Sequence, residues 1–214
     1  MNKVIYFTRH AQAEHNVAED YSIRDAPLTA LGRQQSAALN EDTKNTFQQT
    51  AELLVSSPLK RPMQTLLVGY PGLKARLGKV ILLPELQEVN STDCDRGSPR
   101  EELEADPEFA GLDFSNLTPD WISKQGKYAP ENVAARARWV RNWLRARPEK
   151  EIVLVAHGDI LRMITDGVQS FRPWNNAEVK SYTFASEDDE DAKVIPIQKN
   201  VANEGDNDPT SSSK

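Results

Sequence analysis

Residues 151–156 read EIVLVA and residues 4–8 read VIYFT, two apolar stretches around which the rest of the chain can be organised. Both are rich in β-branched residues and predict buried strands. The near-continuous apolar run at 151–156 is typical of a parallel strand covered on both faces. Arg9 and His10 follow one run directly, and His157 follows the other.

Further strands and helices alternate along the chain. Strands are predicted at residues 53–56 and 80–83, and amphipathic helices at 30–45, 131–147 and 159–168. This alternation predicts an α/β fold, a three-layer α/β/α sandwich with a mostly parallel sheet. Such sheets bind ligands at the carboxyl ends of their strands, so we expect Arg9, His10 and His157 to meet there.

The remaining segments suggest how the chain is divided. Residues 89–130 have weak periodicity and many turn-forming residues, which predicts a loop-rich insertion, or cap, over the active site of a domain spanning 1–185. Residues 186–214 hold eight acidic residues, three lysines and no aromatic residue, a composition that predicts a disordered tail. We expect residues 180–184 to form the last edge strand. Ser57 is expected to cap the helix that follows the strand at 53–56.

Composition limits the possible functions. The single cysteine, Cys94, excludes an intrachain disulfide and fits a reduced compartment, so a cytoplasmic location is expected. The apolar run at 4–7 is too short for a signal peptide or a membrane span. No basic block points to nucleic acid. We therefore expect neither a membrane nor a nucleic acid as partner, and the oligomeric state stays open.

The arginines and histidines at the predicted strand ends suit a phosphoryl group. Guanidinium groups are planar, permanently charged and matched to phosphate oxygens. A neutral imidazole is a competent nucleophile near pH 7. Converging arginines would repel a metal cation, and no zinc-binding spacing occurs, so we expect neither metal nor cofactor. His15 is accordingly interpreted as a loop residue rather than a ligand.

Four segments, taken in order, carry a family resemblance: RHAQAEHN at 9–16, DAPLTALGRQQ at 25–35, SSPLKRPMQT at 56–65 and AHGDILR at 156–162. Together they resemble the histidine phosphatase superfamily, also called phosphoglycerate mutase-like, and its phosphatase branch in particular. The resemblance covers roughly residues 3–170 and implies the same α/β fold.

The resemblance also implies roles for individual residues. His10 would be the nucleophile that forms a phosphohistidine. Arg9, Arg61 and His157 would bind the phosphate, with His157 also counted among the catalytic residues, and Asn16 would donate a further hydrogen bond. Nearby positive charge would help to keep the His10 imidazole deprotonated.

Protonation of the leaving oxygen needs a carboxylic acid. In the family, an acidic residue after the third strand does this work, and the segment around Glu88 resembles that part of the family best. Glu85 is the alternative. One departure is Ala11, where the family usually has glycine; alanine fits there without strain only if φ is negative.

The favoured function is hydrolysis of a small phosphorylated substrate, a phosphomonoester, through a covalent intermediate on His10. A phosphoglycerate mutase-type phosphotransferase is the alternative within the family, and it would need extra cations from the insertion. The candidates for that role are Arg96, Arg100, Lys124 and Lys127. A catalytically weak phosphate-binding regulatory module is a third hypothesis, because fold alone does not establish activity.

Overall fold

The computed structural model describes residues 3–202 of the 214-residue chain. Its centre is a six-stranded sheet with the order β3-β2-β4-β1-β5-β6. The strands are β1 (Val4–Arg9), β2 (Leu53–Ser56), β3 (Ile81–Leu82), β4 (Glu151–Ala156), β5 (Val179–Phe184) and β6 (Val194–Ala202). The first four in spatial order are parallel, and β5 and β6 are antiparallel. The mostly parallel α/β sheet predicted from the sequence is therefore confirmed.

Seven α-helices lie between residues 3 and 202. They are α1 (Glu14–Ala18), α2 (Ala30–Thr43), α3 (Lys60–Gly69), α4 (Pro71–Leu77), α5 (Arg100–Ala105), α6 (Val133–Ala146) and α7 (Gly158–Asp166). Helix α2 begins where Thr29 caps it, since the Thr29 side chain accepts a hydrogen bond from the Gly32 N–H at 2.9 Å. None of these helices is long and apolar enough to cross a membrane.

Strand β4 shows why the sheet has helices on both faces. Its side chains alternate in direction, as in any strand, and all five from Ile152 to Ala156 are fully buried. Val153 and Val155 belong to the core beneath α2 and α3. Ile152, Leu154 and Ala156 belong to the other core, beneath α6 and α7. A strand that buries both faces must be apolar throughout, which is the pattern EIVLVA.

The register of β1 and β4 places the two predicted site histidines side by side. Arg9 lies opposite Ala156, and the His10 N–H donates to the Ala156 carbonyl oxygen at 2.9 Å. Because neighbouring strands are separated by about 4.8 Å, His10 and His157 leave the same edge of the sheet next to each other.

The C-terminal prediction needs correction. Strand β6 lies within residues 186–214, the segment expected to be a disordered tail, and it makes β5 an inner strand. The acidic stretch before β6 contacts the arginines of α6. Arg141 donates to the Asp191 carbonyl oxygen at 2.8 Å, and Arg138 pairs with the Asp191 carboxylate at 3.0 Å. Asp191 therefore has partners on α6, and β6 adds β-branched residues. Residues 203–214 lie outside the described part of the chain.

Two local predictions were also wrong. Ser57 does not cap α3, because that helix starts at Lys60 with Leu59 at its N-cap; the Ser57 hydroxyl is bonded to His157 instead. His15, interpreted from the sequence as a loop residue, lies in the short helix α1. Residues 89–130 contain α5 and several single 3-10 turns.

Candidate active site

His10 follows β1 and is held in a single tautomer. Its side chain is buried, and its Nδ1 lies 2.7 Å from the Ala11 carbonyl oxygen. The Nε of Arg61, which can only donate, lies 3.2 Å from His10 Nε2. Nε2 is therefore the acceptor and Nδ1 carries the proton, so the Nε2 lone pair faces the guanidinium.

The electrostatic environment keeps His10 neutral. Burial, followed by the guanidinium charges of Arg61 and Arg9, holds the pKa of His10 well below its ordinary value. Arg9 is itself buried, donates to the Trp174 carbonyl oxygen, and has its pKa lowered by burial to about 10. It still keeps its charge at neutral pH.

Arg61, in the first turn of α3, is held by the segment after residue 89. Its Nη1 donates to the Cys94 carbonyl oxygen at 2.6 Å, and its Nη2 pairs with the Asp95 carboxylate at 2.9 Å. Only 1% of Arg61 is exposed. Together with the bond to His10, these contacts use three of its five N–H donors.

His157 follows β4 and packs edge-on against His10, with ring centroids 5.2 Å apart. It is fully buried, and its Nε2 lies 2.9 Å from the Ser57 hydroxyl. Burial and the charge of Arg61 hold its pKa well below the ordinary value. The sheet thus brings His10 and His157 together as predicted. Sequence reasoning missed Ser57, whose position at the carboxyl end of β2 was the available signal.

Asn16 and His15 lie on α1, beside the same cavity. The Asn16 Oδ1 accepts from the Ala13 N–H at 3.0 Å, and its Nδ2 lies 3.0 Å from His15 Nε2. The rings of His15 and His10 are 6.2 Å apart. His15, interpreted from sequence as a loop residue, is therefore helical and part of the site. Its position next to Asn16 was the signal that could have identified it.

Glu88 and Glu85 have different environments. Glu88 is buried, and its carboxylate accepts from the N–H groups of Asp159 at 3.2 Å and Ile160 at 3.0 Å, in the first turn of α7. Burial, reinforced by the negative charges of Asp159 and Asp95, raises the pKa of Glu88 to about 7. Glu85 instead forms an ion pair with Lys127 at 2.8 Å.

Two buried cations hold the backbone at Glu88. The Lys124 ammonium donates to the Glu88 carbonyl oxygen at 2.7 Å, and Arg136 donates to the Gln87 carbonyl oxygen at 2.6 Å. Lys124 comes from the 89–130 segment and Arg136 from α6. The turn that carries the Glu88 carboxyl is thus fixed from two sides.

Ala11 is compatible with this geometry. It is fully buried, and its N–H donates to the Thr65 hydroxyl at 3.0 Å. Ala11 is not among the described residues with positive φ. A methyl group is therefore accommodated without backbone strain where the family usually has glycine.

The candidate site opens into a cavity of about 610 Å³. Five of the predicted residues line it: Arg9, His10, Asn16, Arg61 and Glu88. His157 is not among the lining residues and contacts the site through His10. His15, Tyr21, Asp95 and the stretch 90–92 complete much of the wall. Within residues 3–202, no group of three or more histidine, cysteine or carboxylate side chains is arranged to hold a metal ion.

Comparison with known proteins finds relatives described as a phosphatase or as phosphoglycerate mutase-like. A protein of Schizosaccharomyces pombe described as a "probable phosphatase" is 25% identical, covering 92% of this chain and 98% of its own. "Phosphoglycerate mutase-like protein 1" of Arabidopsis thaliana is 29% identical, covering 78% of this chain and 72% of its own.

Solved structures show the same fold. A mycobacterial glucosyl-3-phosphoglycerate phosphatase matches with a TM-score of 0.60 at 22% identity, covering 94% of this chain and 99% of its own. A mutant phosphoserine phosphatase of Entamoeba histolytica, in complex with phosphoserine, matches with a TM-score of 0.57 at 17% identity, covering 92% and 96%. The family model of the histidine phosphatase superfamily (branch 1) matches residues 5–185. The chain belongs to the histidine phosphatase superfamily.

Proposed function

We propose that this protein is a metal-independent phosphomonoester phosphatase that forms a phosphohistidine on His10. The observation that carries the proposal is the protonation state of His10. Its Nε2 bears a lone pair that accepts from Arg61, and His10 lines one cavity together with Arg61 and Arg9, whose guanidinium groups match phosphate oxygens. A nucleophile and its charge stabilisers therefore face one space.

The reaction proceeds in two phosphoryl transfers. The His10 Nε2 lone pair attacks phosphorus, and the bond from phosphorus to the alcohol oxygen breaks. For this attack to occur, Arg61 first exchanges its contact with Nε2 for a phosphate oxygen, which frees the lone pair. Arg9 supports the charge on the equatorial oxygens. Water attacks the phosphohistidine next, the N–P bond breaks, and inorganic phosphate leaves with the His10 lone pair restored.

Glu88 supplies and recovers the proton in this scheme. Because burial raises the pKa of its carboxyl group to about 7, about half of the Glu88 side chains carry a proton at pH 7. In the first transfer it donates that proton to the leaving alcohol oxygen. In the second, the resulting carboxylate takes a proton from the attacking water. Glu85 has no comparable position, because it pairs with Lys127 and is not among the residues that line the cavity.

The positions of the insertion cations favour a phosphatase over a mutase. None of the four candidate cations is among the described residues that line the cavity, and each has another partner. Arg96 donates to the Ser91 carbonyl oxygen, Arg100 pairs with Glu104, Lys124 binds the Glu88 carbonyl oxygen and Lys127 pairs with Glu85. Among the described residues that line the cavity, Arg9 and Arg61 are the cations, and Glu19 adds a carboxylate.

The test compares the wild type with His10→Ala on 4-nitrophenyl phosphate, with a chelator present throughout. We expect phosphate release by the wild type and none by the variant, whose thermal melting stays close to that of the wild type. Unchanged turnover in His10→Ala would exclude the mechanism. A loss of wild-type activity in chelator that added metal restores would exclude metal independence.

The substrate class and location are also part of this proposal. A small phosphomonoester fits a cavity of this size and charge. A cytoplasmic location is supported by the single cysteine, Cys94, which is buried and unpaired.

A further inference from the structure

We infer that His15 is an additional substrate-binding residue whose Nδ1–H donates a hydrogen bond to an oxygen of the bound phosphoryl group. The inference deepens the proposed function and depends on the same cavity. It assigns a ligand contact to His15, which the sequence alone indicated to be a loop residue.

The tautomer of His15 follows from its neighbour. Asn16 Oδ1 accepts from the Ala13 N–H at 3.0 Å, which fixes the orientation of the Asn16 amide. The amide nitrogen Nδ2 therefore faces His15 Nε2, at 3.0 Å, and can only donate to it. Since His15 Nε2 is an acceptor, the proton of the neutral ring is on Nδ1.

That proton has no acceptor within the described protein. The His15 side chain is 6% exposed, and its Nδ1 is buried without a hydrogen-bond partner among residues 3–202. Buried polar groups in folded proteins are almost always paired, so an orphaned donor needs an explanation. Here the ring belongs to the wall of the cavity, and an anionic ligand supplies the acceptor.

Two other rings lie near the His15 ring. The His10 ring lies at a centroid distance of 6.2 Å and the Tyr21 ring at 6.5 Å. Burial and the charges of Arg61 and Arg9 lower the pKa of His15 to about 2, so the ring stays a neutral donor at working pH. A neutral donor can bind a phosphate oxygen without adding a third positive charge beside the two guanidiniums.

Binding of orthovanadate, a phosphate mimic, tests the inference independently of turnover. Calorimetry would compare the wild type with His15→Phe, which keeps a ring of similar shape, and His15→Asn, whose amide N–H can take the place of Nδ1–H. We expect affinity to fall about 10- to 100-fold in His15→Phe, as for a hydrogen bond to a charged group, and to recover largely in His15→Asn. Unchanged affinity in His15→Phe, or an equal loss in both variants, would overturn the inference.

Nitrogen-15 NMR of the imidazole rings provides a second measurement on the intact wild type. We expect His15 to carry its proton on Nδ1 and the Hδ1 resonance to move downfield when vanadate binds. A proton on His15 Nε2, or an Hδ1 resonance that does not move when vanadate binds, would refute the inference. Vanadate binding that moves Hδ1 in a protein without phosphatase activity would refute the proposed function while supporting the ligand contact.

Discussion

Replacing Glu88 with glutamine should remove the general acid while leaving the phosphate site intact. Glutamine keeps the shape of the side chain, and its oxygen can still accept from the Ile160 N–H, while its NH2 group replaces the oxygen that accepts from the Asp159 N–H. It has no acidic proton to donate. Loss of a general acid typically costs 10²- to 10⁴-fold in rate, so we expect kcat/KM for an alkyl phosphate to fall by about that factor.

The pKa of Glu88 also determines the pH dependence in the wild type. Burial raises this pKa above that of a free carboxyl group, to about 7, so the catalytically useful protonated form is present below pH 7 and lost above it. About 10% of Glu88 remains protonated at pH 8 and about 1% at pH 9, which predicts a roughly tenfold fall in kcat/KM per pH unit above 7. His10 adds no acidic limb in this range, since its pKa lies well below its ordinary value.

The assay pairs an alkyl phosphate with 4-nitrophenyl phosphate, whose leaving group needs little protonation. Because kcat/KM reports only the steps up to transfer onto His10, the later hydrolysis of the phosphohistidine does not obscure the comparison. The alkaline fall and the Glu88→Gln loss should be large for the alkyl ester and small for the aryl ester. Glu85→Gln is the matched control, since Glu85 lies outside the cavity wall. Equal losses on both esters, or a larger loss in the control, would refute the assignment.

The remaining predictions concern the cations of the site. Asp95→Asn leaves Arg61 buried without its anion, so the free energy of unfolding measured with denaturant should fall by about 3–5 kcal/mol. Added vanadate should restore part of this stability. A variant as stable as the wild type would contradict the pairing. A substrate with a second negative charge should react poorly, because Arg9 and Arg61 are the cavity-lining cations of the described chain. We expect kcat/KM for 3-phosphoglycerate to be at least about tenfold below that for glycerol 3-phosphate, because the extra carboxylate would enter the cavity without a cationic partner. Equal values would disprove this preference.

The sequence predicted the centre of the sheet well for a physical reason. A strand buried on both faces has to be apolar at every position, so the bounds of β4 could be taken directly from EIVLVA. Arg9, His10 and His157 then follow from the rule that parallel strands point their carboxyl ends at one edge. The preference for Glu88 over Glu85 came from the family resemblance, and it is consistent with the cavity wall, which includes Glu88 and not Glu85.

The parts that were missed depend on contacts between distant segments. The acidic stretch before β6 looks like a solvated tail in composition, but α6 supplies its partners about 50 residues earlier in the chain, as in the bond from Arg141 to Asp191. Ser57 is a good helix cap in isolation, yet His157, 100 residues later in the sequence, engages its hydroxyl. His15 precedes the predicted site residue Asn16 in the sequence, but only the position of α1 beside the cavity shows that its side chain belongs to the site.

The antiparallel end of the sheet has a practical consequence for fusion proteins. Ala202 in β6 pairs with Val179, which in turn pairs with Thr8 at the catalytic end of β1. Val4 lies at the other end of β1, where its N–H donates to the Lys150 carbonyl oxygen. An affinity tag or fluorescent reporter joined after Ala202 therefore starts on the catalytic edge, two strand spacings or about 10 Å from β1. A tag joined ahead of Val4 starts on the opposite edge and leaves the approach to the cavity open, which makes it the better choice for immobilising the protein.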